Sequence, residues 1–221
     1  GNRLTSLPDS FGDLAKLQVL QMNGTRLFNL PASFVDLVAL ETLELNGIPL
    51  TDFPAAFGRL VALQKLVLNN GCLLALPPDF GGLSRLHTLE LNRNQLSYLP
   101  ETICELRALQ TLELNGNHLA TLPAEIGRLA SLQRCGLNAN RLAELPESFG
   151  GLAALRELFL SENKLAALPE SFGELALLER LELNGNCLEV LPACLEQLGA
   201  LQRLELRGNK CAPGPSCSAT L

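Results

Sequence analysis

The sequence predicts an α/β solenoid, in which one short unit is repeated and stacked along a single axis. Two observations predict this fold. Proline recurs every 23 residues along nearly the whole chain, and leucines recur at fixed places between the prolines. The periodic prolines are Pro8, Pro31, Pro54, Pro77, Pro100, Pro123, Pro146, Pro169, Pro192 and Pro215. We therefore expect the 221 residues to form one elongated array, whose long surface is suited to binding rather than to catalysis.

Each unit contains a short strand. In the copy at residues 175–192, Leu181 and Leu183 alternate with other residues, which is the period of a β-strand whose leucines face one side. Because every unit carries this strand at the same place, we expect short parallel strands to form one sheet along one face of the solenoid.

The segment after each periodic proline is predicted to be a short helical or 3-10 return segment on the opposite face. Proline suits the first turn, where no N–H is missed, and acids such as Glu101 and Glu147 suit a helix N-terminus. One apolar position recurs in this segment, and we expect it to form a buried spine. Its members are Phe11, Phe34, Phe57, Phe80, Ile103, Ile126, Phe149, Phe172 and Leu195.

Asparagine marks the turn after the strand in seven of ten units. We expect its amide to satisfy backbone groups that would otherwise be buried unpaired. Three consecutive units have Thr25, Ile48 and Gly71 at this position instead. Threonine can replace part of the bonding, whereas isoleucine and glycine can replace none. The sequence therefore predicts that these three turns are looser or differently shaped.

These residues resemble the leucine-rich repeat family in its 23-residue class. The unit that carries the resemblance is Leu175-x-x-Leu178-x-x-Leu181-x-Leu183-x-x-Asn186-x-Leu188-x-x-Leu191-Pro192, and its spacing extends from Asn2 to about Pro215. The chain is similar to the intracellular Ras-associated scaffolds, the Scribble-type scaffolds, the repeats of Roco GTPases and those of some bacterial effectors. The resemblance implies a curved, horseshoe-shaped leucine-rich-repeat solenoid that binds a protein partner on its concave sheet.

We interpret residues 1–215 as a single array of nine to ten repeats, the first of them incomplete, and residues 216–221 as a terminal tail or the start of a linker. The chain opens inside a unit without a polar cap, so we expect a monomeric array within a longer protein. Cys211 and Cys217 are close enough to pair, but the odd total of seven cysteines favours a reducing, cytoplasmic setting.

Several classes of function fit the sequence poorly. The net charge is −6 and the 17 basic residues form no run, which argues against nucleic acid. Charged or amide residues interrupt every apolar stretch, which argues against a membrane span. His87 and His118 lie in different columns, and no catalytic, metal or cofactor motif is present. We expect a non-catalytic interaction module or scaffold. The alternative is the recognition segment of a larger signalling enzyme or effector, such as a GTPase, kinase or ubiquitin ligase.

One place on the predicted strand face departs from the repeat. Glutamate fills most of the column between the strand leucines, including Glu90 and Glu113, but Gly136 and Phe159 follow each other in this column. The glutamates can bind a partner, or they can simply keep the sheet soluble.

Arg134, Arg156 and Arg180 surround this place. An exposed ring beside a glycine and among arginines resembles an interface anchor, and the arginines favour an acidic or phosphorylated partner segment. In the alternative interpretation the ring lies on its neighbours, and the arginines pair with Glu157, Glu179 and Glu182.

Overall fold

The computed structural model describes residues 3–190 and 193–210, in which nine parallel strands form one open sheet in chain order. The strands are β1 Val19–Gln21, β2 Thr42–Glu44, β3 Lys65–Val67, β4 Thr88–Glu90, β5 Thr111–Glu113, β6 Arg134–Gly136, β7 Glu157–Phe159, β8 Arg180–Glu182 and β9 Arg203–Glu205. Each residue pairs with the same position of the next repeat, as Leu20 does with Leu43. The predicted solenoid of parallel strands is therefore confirmed.

Short 3-10 segments return the chain between the strands, as predicted. They are η1 Asp9–Asp13, η2 Ala32–Asp36, η3 Phe57–Arg59, η4 Phe80–Gly82, η5 Glu101–Glu105, η6 Ile126–Arg128, η7 Glu147–Gly151, η8 Glu170–Glu174 and η9 Ala193–Gln197. Among the eight segments whose preceding residue is described, proline immediately precedes and caps five. Pro146, for example, has φ −67° and accepts the N–H of Phe149 at 2.9 Å. The fixed φ of proline thus sets the entry of the chain into the return segment.

The core lies between the sheet and the 3-10 segments, and the phenylalanine spine runs through it. Phe34, Phe57, Phe80, Phe149 and Phe172 are completely buried. The rings of Phe57 and Phe80 stack with centroids 6.3 Å apart and planes 9° apart, and those of Phe149 and Phe172 at 6.0 Å and 8°. Each unit completes the core of its neighbour, because a single repeat cannot bury its own apolar face.

The turn asparagines, which are buried except for the half-buried Asn209, form what we call the inner ladder: Asn94, Asn117, Asn140, Asn163, Asn186 and Asn209. Asn140 shows the pattern. Its Nδ2 donates to the carbonyls of Leu114 at 3.0 Å and Leu137 at 3.1 Å, and its Oδ1 accepts the N–H of Leu119 at 3.0 Å. The other five asparagines make the same three kinds of bond. Each one satisfies buried backbone groups of two repeats, as expected.

The turns at Thr25, Ile48 and Gly71 interrupt the inner ladder. Within residues 3–190, Thr25 Oγ1 is buried and makes no hydrogen bond, so the expectation that threonine replaces part of the bonding is wrong. At Gly71 the bond that joins neighbouring turns is displaced, and it runs from the N–H of Leu74 to the carbonyl of Thr51. The prediction of a differently shaped turn is confirmed there.

Residues Cys211 and Cys217, whose pairing the sequence left open, lie outside the described residues, as do the tail at residues 216–221 and the periodic positions Asn2, Pro192 and Pro215. Within the described residues, five cysteines are free thiols. Burial raises the pKa of the Cys104 thiol to about 11 and raises that of Cys135 as well, so both stay protonated and unreactive at neutral pH. No helix in the described ranges is long and apolar enough to cross a membrane.

Candidate interaction surface on the sheet

Six of the seven predicted site residues lie on the adjacent strands β4 to β8, and Arg156 immediately precedes β7. Arg134 and Gly136 belong to β6, Phe159 to β7 and Arg180 to β8. Gly136 is directly opposite Phe159 in the register, as the sequence period implies. The strand leucines and Cys135 point inward, which leaves the alternate positions on the open face.

Phe159 is covered by the arginines of the two flanking strands. Its side chain is only 6% exposed, and the Cζ atoms of Arg134 and Arg180 lie 4.5 and 5.0 Å from the ring centroid. The interpretation of an exposed ring is therefore wrong, and the alternative, in which the ring lies on its neighbours, is confirmed. Guanidinium groups attract the face of an aromatic ring, and their alkyl stems shield the ring from water. We call Arg134, Gly136, Phe159 and Arg180 the Phe159 cage.

The arginines are also paired with carboxylates, as the alternative interpretation expected. Arg134 Nε lies 2.6 Å from Glu113 Oε1, and its Nη1 contacts Glu157. Burial opposes the charge of Arg134, but the hydrogen bonds and charges of Glu113 and Glu157 together outweigh burial and raise the guanidinium pKa.

The other two arginines follow the same rule. Arg156 pairs with Glu179, and Arg180 Nη2 lies 2.5 Å from Glu182 Oε1. Among the described residues, Arg180 Nε is buried and makes no hydrogen bond. The site is consequently a network of alternating charges rather than a simple basic ring.

Gly136 provides the space that Glu113 occupies. A Cβ on Gly136 would lie 2.0 Å from Glu113 Oε2, and Glu113 is only 9% exposed. The same carboxylate accepts the Nδ2 of Asn115 at 2.6 Å. The absence of a side chain at Gly136 therefore leaves room for the Glu113 carboxylate to extend across the sheet toward Arg134.

Glu90 lies opposite Glu113 in the register, but it accepts a different amide, Asn69 Nδ2, at 3.1 Å. The structure thus brings together Glu113, Arg134, Gly136, Phe159 and Arg180. It places Glu90 and Arg156 at the margin of this group.

A second asparagine column, just after the strands, is structural rather than the simple solvated filler that its composition allows. We call it the outer ladder: Asn23, Asn46, Asn69, Asn92, Asn115, Asn138, Ser161 and Asn184. Each side-chain oxygen accepts the backbone N–H of the same position one repeat later, as Asn92 Oδ1 does from Asn115 at 2.8 Å. The signal available in the sequence was that this column contains asparagine almost throughout.

An open groove of about 480 Å³ follows the outer ladder along the turn edge of the sheet. It is lined by Asn69, Asn70, Asn92, Arg93, Asn115, Gly116 and Ala139. Asn70, Arg93 and Ala139 occupy a position whose φ is between 54° and 72° in every described repeat, a left-handed conformation that usually selects glycine. The sequence signal for this groove was that residues other than glycine occupy a position that is glycine in several repeats. The sequence-based prediction did not include the groove.

Metal ligands are not assembled here or elsewhere in the described ranges, since no group of three His, Cys, Asp or Glu side chains there could hold an ion.

Comparison with known proteins places these features in a family context. A family model described as a leucine-rich repeat region matches residues 55–134 and 77–163, and a leucine-rich repeat model matches residues 154–175. No curated protein sequence matches the chain.

Solved structures match over nearly the whole chain. A leucine-rich repeat protein of Leptospira interrogans is 34% identical, with a TM-score of 0.75 over 97% of this chain and 61% of that one. The leucine-rich repeat domain of the type III effector XopL is 31% identical, with a TM-score of 0.82 over 93% of this chain and 73% of that one. The plant peptide hormone receptor RGFR1, solved with RGF2, is 30% identical, with a TM-score of 0.84 over 94% and 35%. The chain thus spans only part of the Leptospira and plant proteins.

Proposed function

Because this chain belongs to the leucine-rich repeat family, we propose that it is a non-catalytic interaction module that binds a protein or peptide partner on the concave, open face of its sheet. The fold of this family is generally an interaction scaffold. The observation that carries the proposal is the Phe159 cage, where a ring stands at the strand position that is glutamate in most other repeats and is covered by two guanidinium groups. Aromatic and arginine side chains dominate the energetics of protein interfaces.

Two similar structures support a protein or peptide as the partner. RGFR1 was solved in complex with RGF2, and the Arabidopsis receptor kinase HAESA was solved in complex with the peptide hormone IDA and the co-receptor SERK1. HAESA is 31% identical to this chain, which covers 36% of it.

The ion pairs at the cage suggest how a partner would engage it. The side chains of Arg134 and Arg156 are 44% and 50% exposed, and those of Glu157 and Glu179 are 38% exposed. Solvent-exposed ion pairs contribute little, so an incoming anion can replace these glutamates at small cost. A phosphate carries more charge than a carboxylate and has three acceptor oxygens. The finer proposal is therefore an acidic segment, and above all a phosphorylated one.

The test is a peptide panel in phosphorylated and unphosphorylated forms, with affinities measured by fluorescence anisotropy. The double variant Arg134→Gln, Arg156→Glu should lose at least roughly tenfold in affinity for the best ligand, as expected when charge-assisted hydrogen bonds are lost. The matched control is Arg128→Glu, which reverses an exposed arginine on η6, away from the sheet. Unchanged binding by the double variant would contradict the site. Equal affinity for both forms of each peptide would contradict only the phosphorylated partner.

A second candidate function is the recognition segment of a larger signalling enzyme or effector. It is favoured by the match to the receptor kinase HAESA, of which this chain covers only 36%. The test is to determine the complete reading frame and to assay its product with and without residues 3–210. Activity that depends on the repeats only for capture of a substrate would support this candidate.

We also propose that the module is monomeric and works in the cytoplasm. Support for a reducing compartment comes from the five free thiols of the described residues. Light scattering of the purified protein tests the monomeric state, and imaging of the tagged protein tests the cytoplasmic location.

A further inference from the structure

Five Asn-Gly dipeptides occur in the turns of this chain. They are Asn23-Gly24, Asn46-Gly47, Asn70-Gly71, Asn115-Gly116 and Asn184-Gly185. An asparagine followed by glycine can cyclise spontaneously, because glycine has no side chain to keep its backbone nitrogen away from the asparagine Cγ. In a folded protein the reaction requires both groups to be free to approach each other.

Four of the five dipeptides are held at both reacting groups by the next repeat. At Asn23-Gly24, the glycine N–H donates to Asn46 O at 2.7 Å, and Asn23 Oδ1 accepts the N–H of Asn46 at 2.7 Å. Gly47, Gly116 and Gly185 donate to the next repeat in the same way, at 2.7–2.8 Å. Their asparagines accept the corresponding N–H groups at 2.8–2.9 Å. These turns must open before they can react.

Asn70-Gly71 is displaced by one position within the unit. Asn70 stands where the other four dipeptides have glycine, with φ 57°, and Gly71 stands where the inner ladder has asparagine. Asn70 is exposed. In the part of the chain that the structure describes, neither the Asn70 side chain nor the Gly71 backbone nitrogen makes a hydrogen bond. Both reacting groups are therefore free, in a turn that also lacks the inner-ladder amide.

We propose that Asn70-Gly71 is a site of spontaneous deamidation in the folded protein. The Gly71 nitrogen loses its proton and attacks Cγ of Asn70. A C–N bond forms, the Cγ–Nδ2 bond breaks, and ammonia leaves with a proton, which produces a cyclic succinimide. Water then opens either imide carbonyl and yields aspartate or isoaspartate at position 70. Either product places a new carboxylate in the groove beside Asn69 and Arg93.

The test is to incubate the folded chain at neutral pH and map its tryptic peptides by mass spectrometry. Each dipeptide falls in a different tryptic peptide, and Asn70 lies in residues 66–85. We expect acidic product and isoaspartate to accumulate there roughly tenfold faster than in the other four peptides, because those turns must open first. Equal rates in all five peptides would overturn the proposal.

Two further measurements separate the effect of the fold from that of the local sequence. In denaturant, all five dipeptides should react at similar rates; if Asn70 remains the fastest by the same factor, the fold does not select it. The variant Asn70→Gln should remove the product from the peptide of residues 66–85 and leave the other four peptides unchanged. Persistence of that product would assign it to Asn69 and overturn the proposal.

Discussion

The first three turns that the structure describes and the later turns have the same length but different hydrogen bonding. From Asn94 onward the inner ladder is continuous, whereas Thr25, Ile48 and Gly71 interrupt it. The outer ladder runs through that interruption, with Asn46 N bonded to Asn23 Oδ1 at 2.7 Å.

The outer ladder in turn weakens at Ser161, where Asn184 N reaches the serine Oγ at 3.2 Å and the inner ladder is intact. At no described turn are both ladders lost together. Neighbouring described turns are therefore always joined by side-chain hydrogen bonds of at least one ladder.

The largest effect should come from breaking the intact ladder. Asn140→Ala removes the acceptor of the Leu119 N–H and a donor to the carbonyls of Leu114 and Leu137. We expect a loss of about 3 kcal/mol in the free energy of unfolding, since each buried unsatisfied group costs roughly 1–3 kcal/mol. Urea denaturation measures it. A loss below about 1 kcal/mol would mean that the outer ladder alone suffices.

Hydrogen exchange compares the two kinds of turn directly. Within residues 3–190, the N–H groups of Leu27 and Leu50 have no inner-ladder acceptor, whereas those of Leu73 and Leu119 do. We expect exchange at Leu27 and Leu50 to be roughly tenfold faster, the factor for one missing hydrogen bond. Equal protection at all four leucines would show that the interruption has no energetic consequence.

The same column should give an effect of opposite sign in the interrupted turns. Thr25→Val replaces a buried hydroxyl that has no partner in the described structure with a methyl group. We expect a gain of about 1 kcal/mol in stability, because the unpaired hydroxyl no longer has to leave water. Thr25→Ser is the control, since it keeps the hydroxyl and should give no gain. Destabilisation by valine would indicate that the hydroxyl is bonded in solution.

A smaller gain should follow from repairing the outer ladder. Ser161→Asn shortens the bond to Asn184 N toward the 2.7–2.9 Å found at the other outer-ladder positions. We expect about 0.5 kcal/mol of stabilisation by urea denaturation. Ser161→Ala is the matched control that removes the acceptor. The two variants should change the free energy of unfolding in opposite directions.

The smallest effect concerns pH, at an ion pair beside the interrupted turns. The hydrogen bond from Lys65 lowers the pKa of Glu44, and the same bond raises the pKa of Lys65. The stabilisation is complete between the unfolded pKa of the acid and that of the lysine. It is lost as pH falls through the lowered Glu44 pKa, and as pH rises through the raised Lys65 pKa. Thermal denaturation at a series of pH values measures this effect. Lys65→Met should reduce the fall in melting temperature at both the acidic and the basic end of the range, whereas Lys16→Met should change neither.

The sequence predicts the backbone of this molecule far better than its surface. A strict period determines which residues share a column, so the parallel register, the phenylalanine spine and the inner ladder were all predictable. The period does not determine rotamers. Arg134 and Arg180 carry long flexible side chains that fold over Phe159, and the repeat period does not specify that packing. The place where the sheet departs from the repeat was therefore predictable, whereas the sequence left open whether its ring is exposed or lies on its neighbours.

The direction of the inner ladder bears on how the chain is made by the ribosome. Asn140 completes the hydrogen bonds of Leu119 and Leu114, which belong to the repeat synthesised before it. A nascent repeat therefore keeps unsatisfied polar groups until the following one emerges. The array therefore grows from its N-terminal end. The hydrogen bonds of the most recently emerged repeat are completed only when the next repeat has been synthesised.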